Sequence, residues 1–197
     1  MFTIPPHLQR LADQIDGWLD LRCPDKALEL LDALLTSEGR SAGLEFRVRA
    51  LCRLGRYADA LQDLAELRGS HPTDDWVLLT EGWCRKRTGD LRGAITALRA
   101  LVEHDKKHDF ARFNLACYLA LAGDAEAAIE ELSIACGLNA ECRDFARDEP
   151  DFDPLRTDPR FRELLRQTGG NLPDEPDADT DDDDDPSEPP LPDHRRN

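Results

Sequence analysis

The chain has 197 residues and a formal net charge of −16, enough for one domain and a tail. The charge is uneven: residues 171–197 carry eleven acidic and two basic side chains, and the other 170 residues carry 30 acidic and 23 basic ones. A body of that sign excludes nucleic-acid binding through bulk charge, and no run approaches the roughly 18 apolar residues of a membrane span. Met1–Pro6 lacks a basic region followed by an apolar core, so the sequence shows no secretory signal. The six cysteines, Cys23, Cys52, Cys84, Cys117, Cys136 and Cys142, fall in or beside helical segments of a Leu-rich chain. They read as free thiols of a cytoplasmic protein.

Hydrophobic periodicity predicts helices over residues 5–21 and 25–37, 41–54 and 57–69, 74–88 and 91–104, and 108–122 and 125–137, with a ninth over 139–147. A closing segment follows over 151–165. Asp158 can cap its helix, Pro159 can take the first helical position, and Phe161, Leu164 and Leu165 can cover an exposed edge. Residues 171–197, with six Pro and the Asp181–Asp185 run, hold too little apolar surface to offset the entropy of ordering and are expected to be disordered.

One period runs through the body. Gly55, Gly89 and Gly123 are 34 residues apart, and so are Ala60, Ala94 and Ala128; Leu61, Ile95 and Ile129; and Leu64, Leu98 and Leu132. Each Gly follows a helical run, where a left-handed residue ends a helix without a Cβ penalty. The helix after it carries Ala60, Leu61, Leu64 and Leu67 as one apolar stripe, repeated by Ala94, Ile95, Leu98 and Leu101. An earlier degenerate copy ends in Cys23-Pro24-Asp25-Lys26-Ala27-Leu28, Ala27 lying 33 residues before Ala60. Such a hairpin cannot bury its stripe alone and must stack on its neighbours.

On these columns, and on the small residue at the eighth position (Val48, Gly82, Ala116), the sequence resembles the tetratricopeptide repeat family. The seventh position departs from that pattern, holding Arg47 and Glu81 before Leu115. The resemblance implies an all-α fold, a right-handed helical-hairpin solenoid. The repeat array would occupy residues 1–140, with clear repeats near 41–74, 75–108 and 109–142 and a degenerate one near 8–40. A capping segment over 141–170 and the acidic tail over 171–197 complete the division.

The resemblance also implies a concave groove lined by the first helix of each repeat. Carried onto this chain, the partner-binding residues are Arg49 and Arg53, then Trp76, Trp83, Lys86 and Arg87, then Phe110, Phe113 and Cys117. A partner protein with acidic and apolar groups would suit that lining. The competing reading makes Trp76 and Trp83, seven residues apart on one helical face, part of the core. The Lys, Asn and Arg clamp of the chaperone-binding members is not reproduced, since Glu45 and Arg49 stand at the fifth and ninth positions of the second unit. The Asp181–Asp185 run is a candidate internal competitor for the basic edge, against a purely solubilising role.

Phosphate loops, nucleophile elbows and His-Glu-x-x-His are missing, and no two cysteines have Cys-x-x-Cys spacing. The expectation is therefore a scaffold that is not an enzyme and has no cofactor or metal. A thiol-based or metal-dependent regulator using groove cysteines is the alternative from another class.

Overall fold

A computed structural model describes residues 2–35 and 38–166, which form two compact units, residues 2–90 and residues 91–166. In the first unit an extended segment and a 3-10 turn, Pro6–Leu8, lead into α1 (Gln9–Asp20). Then come α2 (Pro24–Leu30) with a 3-10 turn at Leu31–Ala33, α3 (Arg40–Arg53), α4 (Tyr57–Ser70) and α5 (Asp75–Arg87). The second unit holds α6 (Leu91–His104), α7 (Asp109–Leu121), α8 (Ala125–Leu138), α9 (Cys142–Asp148), a 3-10 segment at Pro150–Leu155 and α10 (Pro159–Arg166). The described residues contain no strand, so the expected all-α hairpin fold is the observed one.

The repeat columns have the physical role that their period predicted. Gly55, Gly89 and Gly123 have φ of 69°, 83° and 83°, each in the left-handed region. At each turn two backbone bonds close the helix end. Gly55 N–H donates to the Cys52 carbonyl at 2.9 Å and Arg56 N–H to that of Leu51 at 2.8 Å; the same pair recurs at Gly89 with Asp90 and at Gly123 with Asp124. The degenerate first repeat builds this turn without glycine. Arg22 takes φ 54°, while Arg22 and Cys23 N–H donate to the Leu19 and Trp18 carbonyls, both at 2.9 Å.

The alanine column, Ala27, Ala60, Ala94 and Ala128, has no exposed surface, and its companions Leu31, Leu64, Leu98 and Leu132 are equally buried. Burying one such Leu contributes about 1.5–3 kcal/mol, so this stripe is a main stabilising term of each hairpin. Arg47 and Glu81, which break the apolar pattern, are absorbed by ion pairs with neighbouring helices and, for Glu81, also within α5. Arg47 donates to Asp63 at 2.7 and 2.5 Å, Arg68 donates to Glu81 at 2.6 Å, and Arg85 donates to the same carboxylate at 2.9 Å. Asp74, His108 and Asp124 accept from the backbone N–H three residues on and cap α5, α7 and α8.

Two predicted boundaries need correction. The helix predicted over 5–21 is α-helical only from Gln9, because Pro5 and Pro6 lack N–H donors and Pro5 sits at φ −57°, ψ 140°. The helix predicted over 25–37 ends at Leu30 and tightens into a 3-10 turn. There the chain turns back sharply: a Cβ on Gly39 would stand 2.6 Å from the Leu34 carbonyl oxygen. Residues 36 and 37 of that helix lie outside the described residues.

The closing segment forms as the sequence suggests. Asp158 accepts from Arg160 N–H at 2.8 Å, Pro159 opens α10, and Phe161 and Leu164 are buried while Leu165 is half-buried. Phe152, fully buried, packs between Phe113 and Phe161 with ring centroids 5.6 and 5.4 Å away. Arg156 donates to the Ala146 and Glu149 carbonyls at 3.0 and 2.8 Å, tying this segment to the end of α9. Residues 167–170 of the expected cap and the whole acidic tail, with its proposed contact to the basic edge, lie outside the described residues.

The Arg22 turn yields a direct test. A non-glycine residue in the left-handed region costs roughly 1–2 kcal/mol, partly offset by the greater freedom of glycine in the unfolded chain. Arg22→Gly should therefore stabilise the protein by about 1 kcal/mol, a rise of about 2–4 °C in Tm at this size. Thermal unfolding followed by circular dichroism reads the change, and a lowered Tm would show that the Arg22 side chain contributes more than the backbone strain costs.

Candidate functional site

In the first unit, α3 and α5 present the residues that the repeat register assigns to a partner. Glu45, Arg49 and Arg53 fall at i, i+4 and i+8 along one face of α3, and Trp76, Trp83 and Arg87 share a face of α5. The basic members are built into the unit. Arg49 Nη1 stands 2.7 Å from Asp16 Oδ1 of α1, and its guanidinium lies 5.4 Å from the Phe46 ring centroid. That ion pair is an electrostatic contact rather than an in-line hydrogen bond. Arg87, exposed at the end of α5, lies over the Trp83 ring at 5.1 Å, a cation–π contact. Arg53 and Lys86 are half-buried at the same ends of their helices.

The two tryptophans are more buried than a groove lining requires. Trp76 and Trp83 are 7% and 8% exposed and belong to the core formed with Leu44, Val48, Leu51, Cys52, Leu64 and Val77. Tyr57 meets Trp83 edge-on at 5.1 Å. In the second unit Phe110 is half-buried, Phe113 is 8% exposed and covered by Phe152, and Cys117 is buried. Helical periodicity cannot tell these faces apart, because groove and core positions lie next to each other on the first helix of each repeat.

Glu45, at the fifth position of the second repeat, proves central to the first structural unit. It is 6% exposed and accepts from the backbone N–H of Phe2 at 3.0 Å. Burial pushes its carboxyl above the usual range, and the Phe2 hydrogen bond and the Arg49 charge pull it back. Phe2 itself packs on His71 at 4.4 Å and meets Trp76 edge-on at 6.4 Å. One usable signal for this contact lies in the alternation of Phe2, Thr3 and Ile4 ahead of Pro5-Pro6.

The thiols are placed for packing. Cys52 and Cys84 have no exposed surface and their sulfurs are 3.5 Å apart. Their hydrogen bond, followed by burial, drives the Cys52 pKa upward. Burial, reinforced by Cys136 and nearby acidic groups, pushes Cys142 up to about 12. Such thiols are poor nucleophiles, because the thiolate is the reactive form. Among the described residues no three His, Cys, Asp or Glu side chains cluster as a metal site. His108 uses Nδ1 to accept from Ala111 N–H at 3.2 Å as the α7 cap.

A pH dependence follows from the thiols. In the unfolded chain they ionise near pH 8.5, whereas Cys142 holds its proton to about pH 12 in the folded one. The folded state then binds more protons, so stability present below about pH 8.5 is lost as the pH rises toward 12. Tm should fall between pH 8 and pH 10, and Cys142→Ala should flatten the fall. Equal slopes for the two proteins would contradict the assignment.

The comparisons with known proteins bear on the fold. Residues 79–141 match the tetratricopeptide repeat model. No curated protein matches the chain in sequence. Two solved structures resemble its fold: a double mutant of MamA RS-1, with TM-score 0.64 and 17% identity over 83% of this chain and 97% of that one, and MamA 41-end from Desulfovibrio magneticus RS-1, with TM-score 0.61 and 17% identity over 83% and 96%. At that identity the likeness speaks for the fold alone. The helical hairpins, their left-handed turns and the matched segment together show an all-α hairpin fold that carries tetratricopeptide repeat sequence over residues 79–141.

Proposed function

We propose that the chain is a non-catalytic interaction module that holds a segment of a partner protein. Tetratricopeptide hairpins leave the first helices of their repeats available to a ligand, and the observation that carries the reading is the side-chain set on α3 and α5 of the first unit. Arg49, Arg53, Lys86 and Arg87 supply positive charge in a chain whose net charge is −16, and Trp76 and Trp83 lie beside them. Trp and Arg dominate interface energetics because they combine large apolar area with directed hydrogen bonding. The matching partner segment is acidic and apolar. Phe110, Phe113 and Cys117 of α7 are the corresponding positions of the second unit and belong to the same proposal. No helix among the described residues is long and apolar enough to cross a membrane. Buried free thiols suit a reducing compartment such as the cytoplasm.

A regulator acting through groove cysteines is the weaker reading, because Cys52 and Cys84 have no exposed surface and their contact, with burial, raises the Cys52 pKa. The test of the module is co-purification at native expression, with the full chain as bait and its Lys86→Glu/Arg87→Glu variant beside it. A protein that co-purifies specifically should bind the variant at least about 10-fold more weakly, the scale of losing an interface anchor. The interaction should also weaken between 0.05 and 0.5 M salt. Unchanged binding by a variant with native circular dichroism would remove the basic face from the site, and the lack of any specific partner would remove the reading.

A further inference from the structure

The first unit already holds a peptide. Phe2–Pro5 carries no secondary structure of its own and crosses the starts of α3 and α5. Its side chains alternate as in any extended chain: Phe2 and Ile4 are half-buried and Thr3 is exposed. Phe2 sits against the first core cluster, with His71 and Trp76 around its ring, and Ile4 packs on a second cluster formed with Ile15, Leu31 and Phe46. Its backbone N–H donates to Glu45, and His71 Nε2 is held 3.1 Å from Ser41 Oγ, joining the start of α3 to the loop before α5. Pro5 and Pro6 limit the freedom of the segment and so reduce the entropy lost when it docks.

The fit is incomplete. Trp76 Nε1 is buried without a hydrogen-bond acceptor among the described residues, and the Glu45 carboxylate is buried beside a single backbone donor. Unmet buried polar groups are costly, so an occupant bringing a carbonyl to Trp76 and a further donor to Glu45 would hold this site better than the segment that now fills it. We propose that Phe2–Pro5 is an internal strap occupying a ligand site of the first unit, and that the site takes an extended peptide carrying an aromatic side chain next to a free backbone N–H. The aromatic ring replaces Phe2 between His71 and Trp76, and the partner must displace the strap to enter. This deepens the reading of the chain as an interaction module and rests on it, by naming the chemistry of one partner segment and a gate on its entry.

The experiment uses the full chain and the acetylated peptide Phe-Thr-Ile-Pro-Pro, labelled at its C-terminus, in a fluorescence anisotropy titration. Phe2→Ala should bind this probe at least tenfold more tightly than the unsubstituted chain, because its own strap no longer competes. Adding His71→Ala should abolish the gain, and a probe with Ala in place of Phe should bind neither protein. Acrylamide should quench tryptophan fluorescence more strongly in Phe2→Ala, as Trp76 becomes accessible. Equal affinity for the two chains, no binding to Phe2→Ala, or equal binding of the Ala probe would each overturn the proposal. Loss of helical circular dichroism in Phe2→Ala would also overturn it, making the segment a part of the fold rather than a removable occupant. Capture of a partner that Phe2→Ala leaves unaffected would sink the strap and spare the interaction module. Probe exchange as expected, without any cellular partner, would do the reverse.

Discussion

Alanines with no exposed surface set how close the paired helices of this protein can come. Ala27, Ala60, Ala94 and Ala128 occupy one register position in successive hairpins. A larger side chain there would separate the helices and open voids between the buried Leu residues that share the stripe, Leu31, Leu64, Leu98 and Leu132. The turn before each alanine serves the same constraint. A helix ended in the left-handed region reverses the chain within two or three residues, as between α1 and α2, α3 and α4, and α7 and α8, where the second helix runs back along the first. Three of these turns use glycine, and the fourth holds Arg22 in the strained region, so the geometry is kept even where the sequence does not favour it.

Close packing leaves the first helices of the repeats with two duties. On α3, Val48 and Leu51 face the core, and the next positions around the helix, Glu45, Arg49 and Arg53, carry polar groups. On α5 the duties overlap, since Trp76 and Trp83 are core residues that also stand beside the polar positions. Arg87 over Trp83 and Phe2 edge-on to Trp76 show how these rings are used where they approach the surface.

Much of the fold was legible because periodicity is a property of the sequence itself. Four columns at one spacing predicted hairpins, and Gly55, Gly89 and Gly123 predicted where they turn. The first repeat was harder to read because its turn carries Arg22, which has no turn signature, and because its second helix tightens after Leu30. The face of the candidate site was less legible than the fold. A hydrophobic residue on the first helix of a repeat serves core and groove equally well in sequence, so the sequence does not show how deeply Trp76, Trp83 and Phe113 are buried. Phe2 stood outside every repeat, and its contacts with Glu45, His71 and Trp76 join residues more than 40 positions apart.

The claim on which the account depends is that the alanine column, more than helix propensity, holds each hairpin together. Two substitutions on the same helix separate the effects. Ala60 has no exposed surface, and Ala58, two residues earlier on α4, is exposed. Leu is close to Ala in helix propensity, so neither change should act through the helix alone. Denaturant unfolding should show Ala60→Leu destabilised by about 1–3 kcal/mol and Ala58→Leu within about 0.5 kcal/mol of the unsubstituted protein. Equal stability of the two variants would contradict the account.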